Sequence, residues 1–191
     1  MKVFGIGLSR TGTYSLSKAL DVLGFYTIHY PMDHTTLIAL FNGEADFPVL
    51  NSYDGITDIT VCPYYKQLDR RYQGSKFILT VRDIESWTKS CENHWRSRPP
   101  FDEDTRPRHA THMNIRRFLR AAVYGSYNYS YDRFVCVYQD YVDSVLNYFK
   151  NRPDDLLILN IIKGEGYEKL APFMGVDVPD SAFPNIPNIK D

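Results

Sequence analysis

The sequence predicts an α/β fold: a central parallel sheet of about five strands with helices on both faces. Short β-prone runs alternate with helical segments along the chain, the order that crossover connections between parallel strands require. One run, KFILTV at residues 76–81, is continuously apolar and β-rich, as a strand covered on both faces must be. The 191 residues carry 43% hydrophobic and 24% charged side chains, which fits one globular domain over 1–191 and excludes a disordered, fibrous or coiled-coil chain.

Each element has its own signal. Residues 2–7 read as the first strand, ending in glycine, and residues 13–23 as a helix with Leu16, Ala19, Leu20 and Leu23 at helical spacing. Gly24 closes that helix and residues 25–29 form a second strand. A helix over 35–41, capped by Asp33 or Thr35, stops near Gly43. A brief third strand at 55–60 precedes a helix from Pro63 to about Tyr72, since proline is tolerated in a first turn. The buried strand at 76–81 leads to a helix over 84–95 with Asp83 as its N-cap. Residues 95–109, rich in proline, arginine and acidic side chains, read as a loop and candidate lid. Helices at 110–124 and 131–150 flank a tyrosine-rich link, followed by a strand at 156–161 and a short helix at 166–174. The proline-bearing residues 176–191 read as an extended tail.

Charge and cysteine usage narrow the function. With 22 basic and 23 acidic residues the net charge is −1, so no bulk positive field argues for nucleic acid or an anionic membrane as partner. No apolar run approaches the ~20 residues of a membrane span, and the first residues are too short a stretch for a signal-peptide core. Cys62, Cys91 and Cys136 are scattered, without a CxxC pair, and read as reduced thiols in a cytoplasmic setting. His94, His109 and His112 lack carboxylate or cysteine partners at matching spacing, so no metal site is expected.

Ligands of parallel sheets bind at the carboxyl ends of the strands. The first such end runs into Gly7-Leu8-Ser9-Arg10-Thr11-Gly12-Thr13-Tyr14-Ser15, with the spacing and the strand–loop–helix placement of a phosphate-binding loop. Its hydroxyls at Ser9, Thr11, Thr13 and Ser15 add donors. A nucleotide-hydrolysing loop would continue with lysine and a magnesium-binding hydroxyl; here Thr13 and Tyr14 stand there, and the cation lies inside the loop at Arg10. That disfavours a kinase, which remains the alternative reading alongside a non-catalytic nucleotide-binding module.

The segment GLSRTGTYSL resembles the 5′-phosphosulfate loop of PAPS-dependent sulfotransferases, written there Pro-Lys/Arg-Ser/Thr-Gly-Thr-Thr, with Ser9 in place of proline and Tyr14 in place of a threonine. The resemblance implies a three-layer P-loop-type sandwich, PAPS as co-substrate with PAP as product, and Arg10 neutralising the leaving group. It implies nucleotide contacts from Ser9, Thr11, Gly12, Thr13, Tyr14 and Ser15. At the end of the KFILTV strand, Arg82-Asp83-Ile84 is similar to the family's Arg-Asp-Pro, and Ser90 stands eight positions after Arg82; this pair would bind the 3′-phosphate. Lys163-Gly164-Glu165-Gly166-Tyr167 is similar to the late loop that closes over the nucleotide, with Lys163 as a further phosphate contact.

Transfer to a hydroxyl acceptor, a small molecule or a glycan, needs a general base at a strand tip. Asp58, 24 residues before Arg82, stands where the resemblance places one; His29, at the tip of the second strand, is its rival. The tyrosines of 124–148 read either as a core face of a helix or as an aromatic acceptor pocket, and the loop after residue 95 either as a lid recognising an anionic acceptor or as plain surface.

Overall fold

A computed structural model describes residues 1–101 and 107–186 of the chain. Five strands form one sheet: β1 (Val3–Gly5), β2 (Thr27–His29), β3 (Gly55–Thr57), β4 (Lys76–Thr80) and β5 (Leu156–Leu159), in the order β2-β3-β1-β4-β5. All four pairings are parallel, with Phe4 opposite both Ile56 and Phe77. Every strand therefore ends on the same edge, and the loops that follow converge there.

The helices are α1 (Thr13–Val22), α2 (His34–Asn42), α3 (Tyr65–Arg71), α4 (Ile84–Arg96), α5 (Pro107–Leu119), α6 (Tyr131–Phe149) and α7 (Tyr167–Met174). Strand residues alternate between two apolar clusters, because successive side chains of a strand point to opposite faces. Val3, Ile78 and Leu159 pack with Leu16, Leu20 and Leu170 of α1 and α7. Phe4, Ile56, Phe77 and Leu79 pack on the other face, with Leu68, Trp87, Ile115 and Phe149 of α3 to α6. A strand with both faces covered has no polar side, which is why Phe77, Ile78 and Leu79 follow one another without a polar residue. The result is the three-layer sandwich expected.

The strands are shorter than the sequence suggests. β3 stops at Thr57 rather than at residue 60 because Asp58 adopts a left-handed φ of 81°, which ends the ladder. The helix expected from Pro63 opens as a 3-10 turn, Cys62–Tyr64, before α3. Asp33, not Thr35, caps α2, its carboxylate accepting from the Thr36 amide at 2.9 Å; Asp83 caps α4 through Ser86 N at 3.0 Å. The expected loop at 95–109 is narrower: α4 reaches Arg96 and α5 begins at Pro107, while residues 102–106 lie outside the described residues. A π-turn, Arg120–Tyr124, prolongs α5. Residues 176–186 form no regular element, and the rest of the tail is also outside the described residues. No described helix is long and apolar enough to cross a membrane.

Candidate active site

The glycine loop is held open by its neighbours. A Cβ on Gly7 would stand 1.8 Å from Thr80 Oγ1, so only glycine lets the tip of β1 pass β4 this closely. Thr11 is fully buried; its hydroxyl lies 2.6 Å from both Leu8 O and Thr80 Oγ1, so it shapes the loop from inside. From α4, Trp87 Nε1 donates to Ser9 O at 2.9 Å. Arg10 (φ 75°) and Gly12 (φ 101°) both take left-handed backbone, turning the chain into α1. Gly12 supplies no side-chain cap and the first turn of α1 has no acidic residue. The helix thus presents its unpaired amides and positive dipole end to the strand tips.

Arg82 and Ser90 join this loop. Arg10 Nε donates to Ser90 Oγ at 3.1 Å, and Arg82 Nη1 donates to the Arg10 carbonyl at 3.1 Å. Arg82 Nε is held by Ser86 Oγ at 2.9 Å, while Asp83 is occupied in capping α4. Among the described residues no carboxylate pairs with Arg82, and burial together with the neighbouring Arg10 charge pushes its pKa down. Tyr138 of α6 locks the backbone of Arg82, its hydroxyl accepting from the amide at 2.9 Å and donating to the carbonyl at 2.7 Å. Two like charges held at one helix N-terminus suit a ligand with more than one phosphate-type group.

The rival bases meet at the tips of β2 and β3. Asp58 Oδ1 accepts from Ser9 Oγ at 2.7 Å and from the Ile59 amide at 2.6 Å, and Oδ2 lies 3.3 Å from His29 Nε2. The other ring nitrogen of His29 is 3.0 Å from Thr57 Oγ1, and the Tyr14 ring stands edge-on to the imidazole at 5.2 Å. Tyr14, which stands in the family pattern's threonine position, thus packs on His29 of this pair. Asp58 is nearly buried, and Tyr30 (φ 48°) follows His29. Arg10, Tyr30 and Asp58 are the non-glycine residues with positive φ among those described, each in the segment that follows a different strand. Such strain costs of order 1–3 kcal/mol per residue and collects at functional sites.

Two expected contacts sit at the margin. Lys163 is exposed at the end of the 3-10 turn Ile161–Lys163, whose Ile161 packs where a Gly12 Cβ would be, 3.1 Å away. Ser15 is buried in α1, and its hydroxyl accepts the amide of Ile186 at 3.2 Å, so the tail passes over the first turn. Thr13 is buried beside it.

A family model described as a sulfotransferase domain matches residues 2–190. The chain belongs to the sulfotransferase family. It is also similar to the "Ava biosynthesis cluster protein M" of Aspergillus versicolor, 30% identical, with 97% of this chain and 80% of that protein covered.

Sequence reasoning missed the roles of several side chains in and around this candidate site. Tyr138, Tyr141 and Tyr148 of α6 pack against the core while Tyr131 is exposed, and the three hydroxyls are pins: Tyr138 on Arg82, Tyr141 on Ile6 O at 2.7 Å and Tyr148 on Asp69 at 2.6 Å. Their near-helical spacing was the available signal. Trp87, one position after Ser86 on the helix that follows Arg82, carried no signal of its role as the anchor of Ser9. Also unforeseen was the burial of Arg120, whose guanidinium bonds the carbonyls of Arg98 and Tyr127.

Proposed function

We propose that this sulfotransferase moves a sulfuryl group from PAPS to the hydroxyl of a small-molecule or glycan acceptor, as one domain spanning 1–191 that works in the cytoplasm. The observation that carries the reading is the convergence of Arg10, Arg82 and Ser90 with the Asp58–His29 pair at one edge of the sheet. The residues fit the nucleotide: an uncapped helix N-terminus for the phosphosulfate, and a guanidinium with no carboxylate partner among the described residues for the 3′-phosphate.

Asp58 is the better placed base. A carboxylate offers about four acceptor positions, and Ser9, Ile59 and His29 take three of them. The remaining position on Oδ2 receives the acceptor proton. His29 is engaged at both ring nitrogens, which suits it to holding the carboxylate. As the acceptor oxygen bonds to sulfur, the bond from sulfur to the bridging oxygen breaks in line. Arg10 meets the charge released on that oxygen, so no metal is required. Ser9 ties the base directly to the loop, fixing the two reacting ends relative to each other.

Thermal shift of the protein with PAP and with ADP tests the reading. PAP stabilises more at equal concentration if the 3′-phosphate is recognised; equal shifts, or stabilisation by ATP with magnesium alone, support the kinase instead.

A further inference from the structure

Beyond Asp58 the site is bounded by a second group of cations. Ser90, which meets Arg10, is followed at intervals of four residues by His94 and Arg98, and this spacing runs along one side of α4 and past its end. Arg98 Nη1 lies 2.8 Å from His94 Nδ1. Arg116 and Arg120, also four apart, come from α5 and the π-turn. Arg120 is only 3% exposed; its guanidinium donates to Arg98 O at 2.8 Å and Tyr127 O at 3.0 Å and lies 4.9 Å from the ring centre of Trp95. Trp95 Nε1 is itself buried without a partner among the described residues. The one polar contact of Arg116 there is Met113 Sδ, at 3.4 Å.

Neither Arg116 nor Arg120 meets a carboxylate among the described residues, and α5 contains no acidic residue. Buried positive charge is stable only when paired and hydrogen-bonded. The group also connects to the glycine loop: Arg120 bonds Arg98, Arg98 meets His94, and His94 lies one turn along α4 from Ser90, which holds Arg10. Burial and then the Asp58 charge push the Tyr30 hydroxyl's pKa up while Arg116, Arg120 and Arg98 pull it down, and burial with these three arginines and Arg10 pushes the pKa of His94 down.

We infer that Arg116 and Arg120 bind an oxyanion carried by the acceptor, so that the acceptor class is a hydroxyl compound bearing a carboxylate, phosphate or sulfate group. This rests on the reading of Asp58 as the group that meets the acceptor hydroxyl. The anion would supply the charge missing from the arginine pair and orient the hydroxyl toward Oδ2. A bidentate guanidinium contact is directional, so it would fix the acceptor as well as attract it.

The test measures binding to the PAP-saturated and to the nucleotide-free protein by calorimetry, with turnover of the same probes in PAPS alongside. The probes are para-hydroxyphenylacetate, para-hydroxyphenyl phosphate, para-hydroxyphenyl sulfate and the neutral para-hydroxyphenylethanol. At least one anionic probe is expected to bind about ten- to a hundredfold more tightly than the neutral one. The best of the three names the anion. Arg116→Gln should abolish that preference and Arg116→Lys retain part of it, both with unchanged PAP affinity; Arg116 is half-buried, so these variants are chosen over changes at the buried Arg120. Equal binding of charged and neutral probes, or a preference that survives Arg116→Gln, overturns the inference. Failure of PAP to bind would instead count against the nucleotide reading, while the nucleotide-free measurement still decides the arginine site.

Discussion

Asp58 Oδ2 lies 3.3 Å from His29 Nε2, so the two residues that each qualify as the general base form one pair. Under the proposed mechanism the rivalry becomes a division of labour: the carboxylate bonded to the glycine loop takes the proton, and the imidazole fixed by Thr57 and packed by Tyr14 holds that carboxylate.

Asp58→Asn keeps the shape, tolerates the left-handed backbone and removes the proton acceptor. It should lower kcat by about 10²–10⁴-fold with PAP affinity little changed. His29→Asn should lower kcat less. Loss of turnover in His29→Asn, with Asp58→Asn still active and nucleotide binding normal, reverses the assignment.

Arg82→Ala should erase the preference for PAP over ADP. A hydrogen bond to a charged group contributes about 1.5–3 kcal/mol, so the PAP Kd should rise about ten- to a hundredfold while that for ADP moves much less. Calorimetric titration of both nucleotides checks this, and a parallel loss for both would place Arg82 away from the 3′-phosphate.

Much of this architecture was legible in the sequence. The β-rich run at 76–81, with Phe77, Ile78 and Leu79 consecutive, announced a strand with two covered faces, and Gly7, Arg10 and Gly12 marked the loop because their spacing and backbone demands are local. The spacing from Arg82 to Ser90 is two helical turns, which a helix must place on one side. What stayed hidden depends on long-range geometry. The approach of His29 to Asp58 needs β2 to lie beside β3, and sequence spacing does not fix that order. Nor does any local pattern tell that Tyr138 reaches across to Arg82, or that Arg120 is buried rather than in water.

Tyr138→Phe tests the clamp on Arg82. The ring still packs on Trp87, 4.7 Å between centres, but the Arg82 amide and carbonyl lose their shared partner. Stability in urea should fall by about 1–3 kcal/mol, the usual cost of a polar group left unsatisfied, and PAP affinity should weaken with it. Unchanged PAP affinity would show that the Arg82 backbone needs no clamp.

Burial, together with Arg98, Arg10, Arg120 and Arg116, lowers the pKa of His94 to about 3. The folded protein thus keeps His94 neutral where the unfolded chain, with a pKa near 6.5, protonates it. The unfolded state binds more protons between these two values, so stability is complete above pH ~6.5 and is lost as pH falls toward 3. The slope from one such group is at most about 1.4 kcal/mol per pH unit. Urea melts from pH 7 to pH 4 should show a shallower acid loss in His94→Gln than in the parent. Equal slopes would mean that His94 protonates freely in the fold.

The most direct test of sulfuryl transfer follows radiolabelled sulfate from PAPS into a hydroxyl acceptor in excess EDTA, for the parent protein and Arg10→Ala. Sulfated product and PAP should form in equal amounts without added metal, and Arg10→Ala should lose most of that turnover. Strict dependence on magnesium with ATP consumed and no sulfate transferred would contradict it.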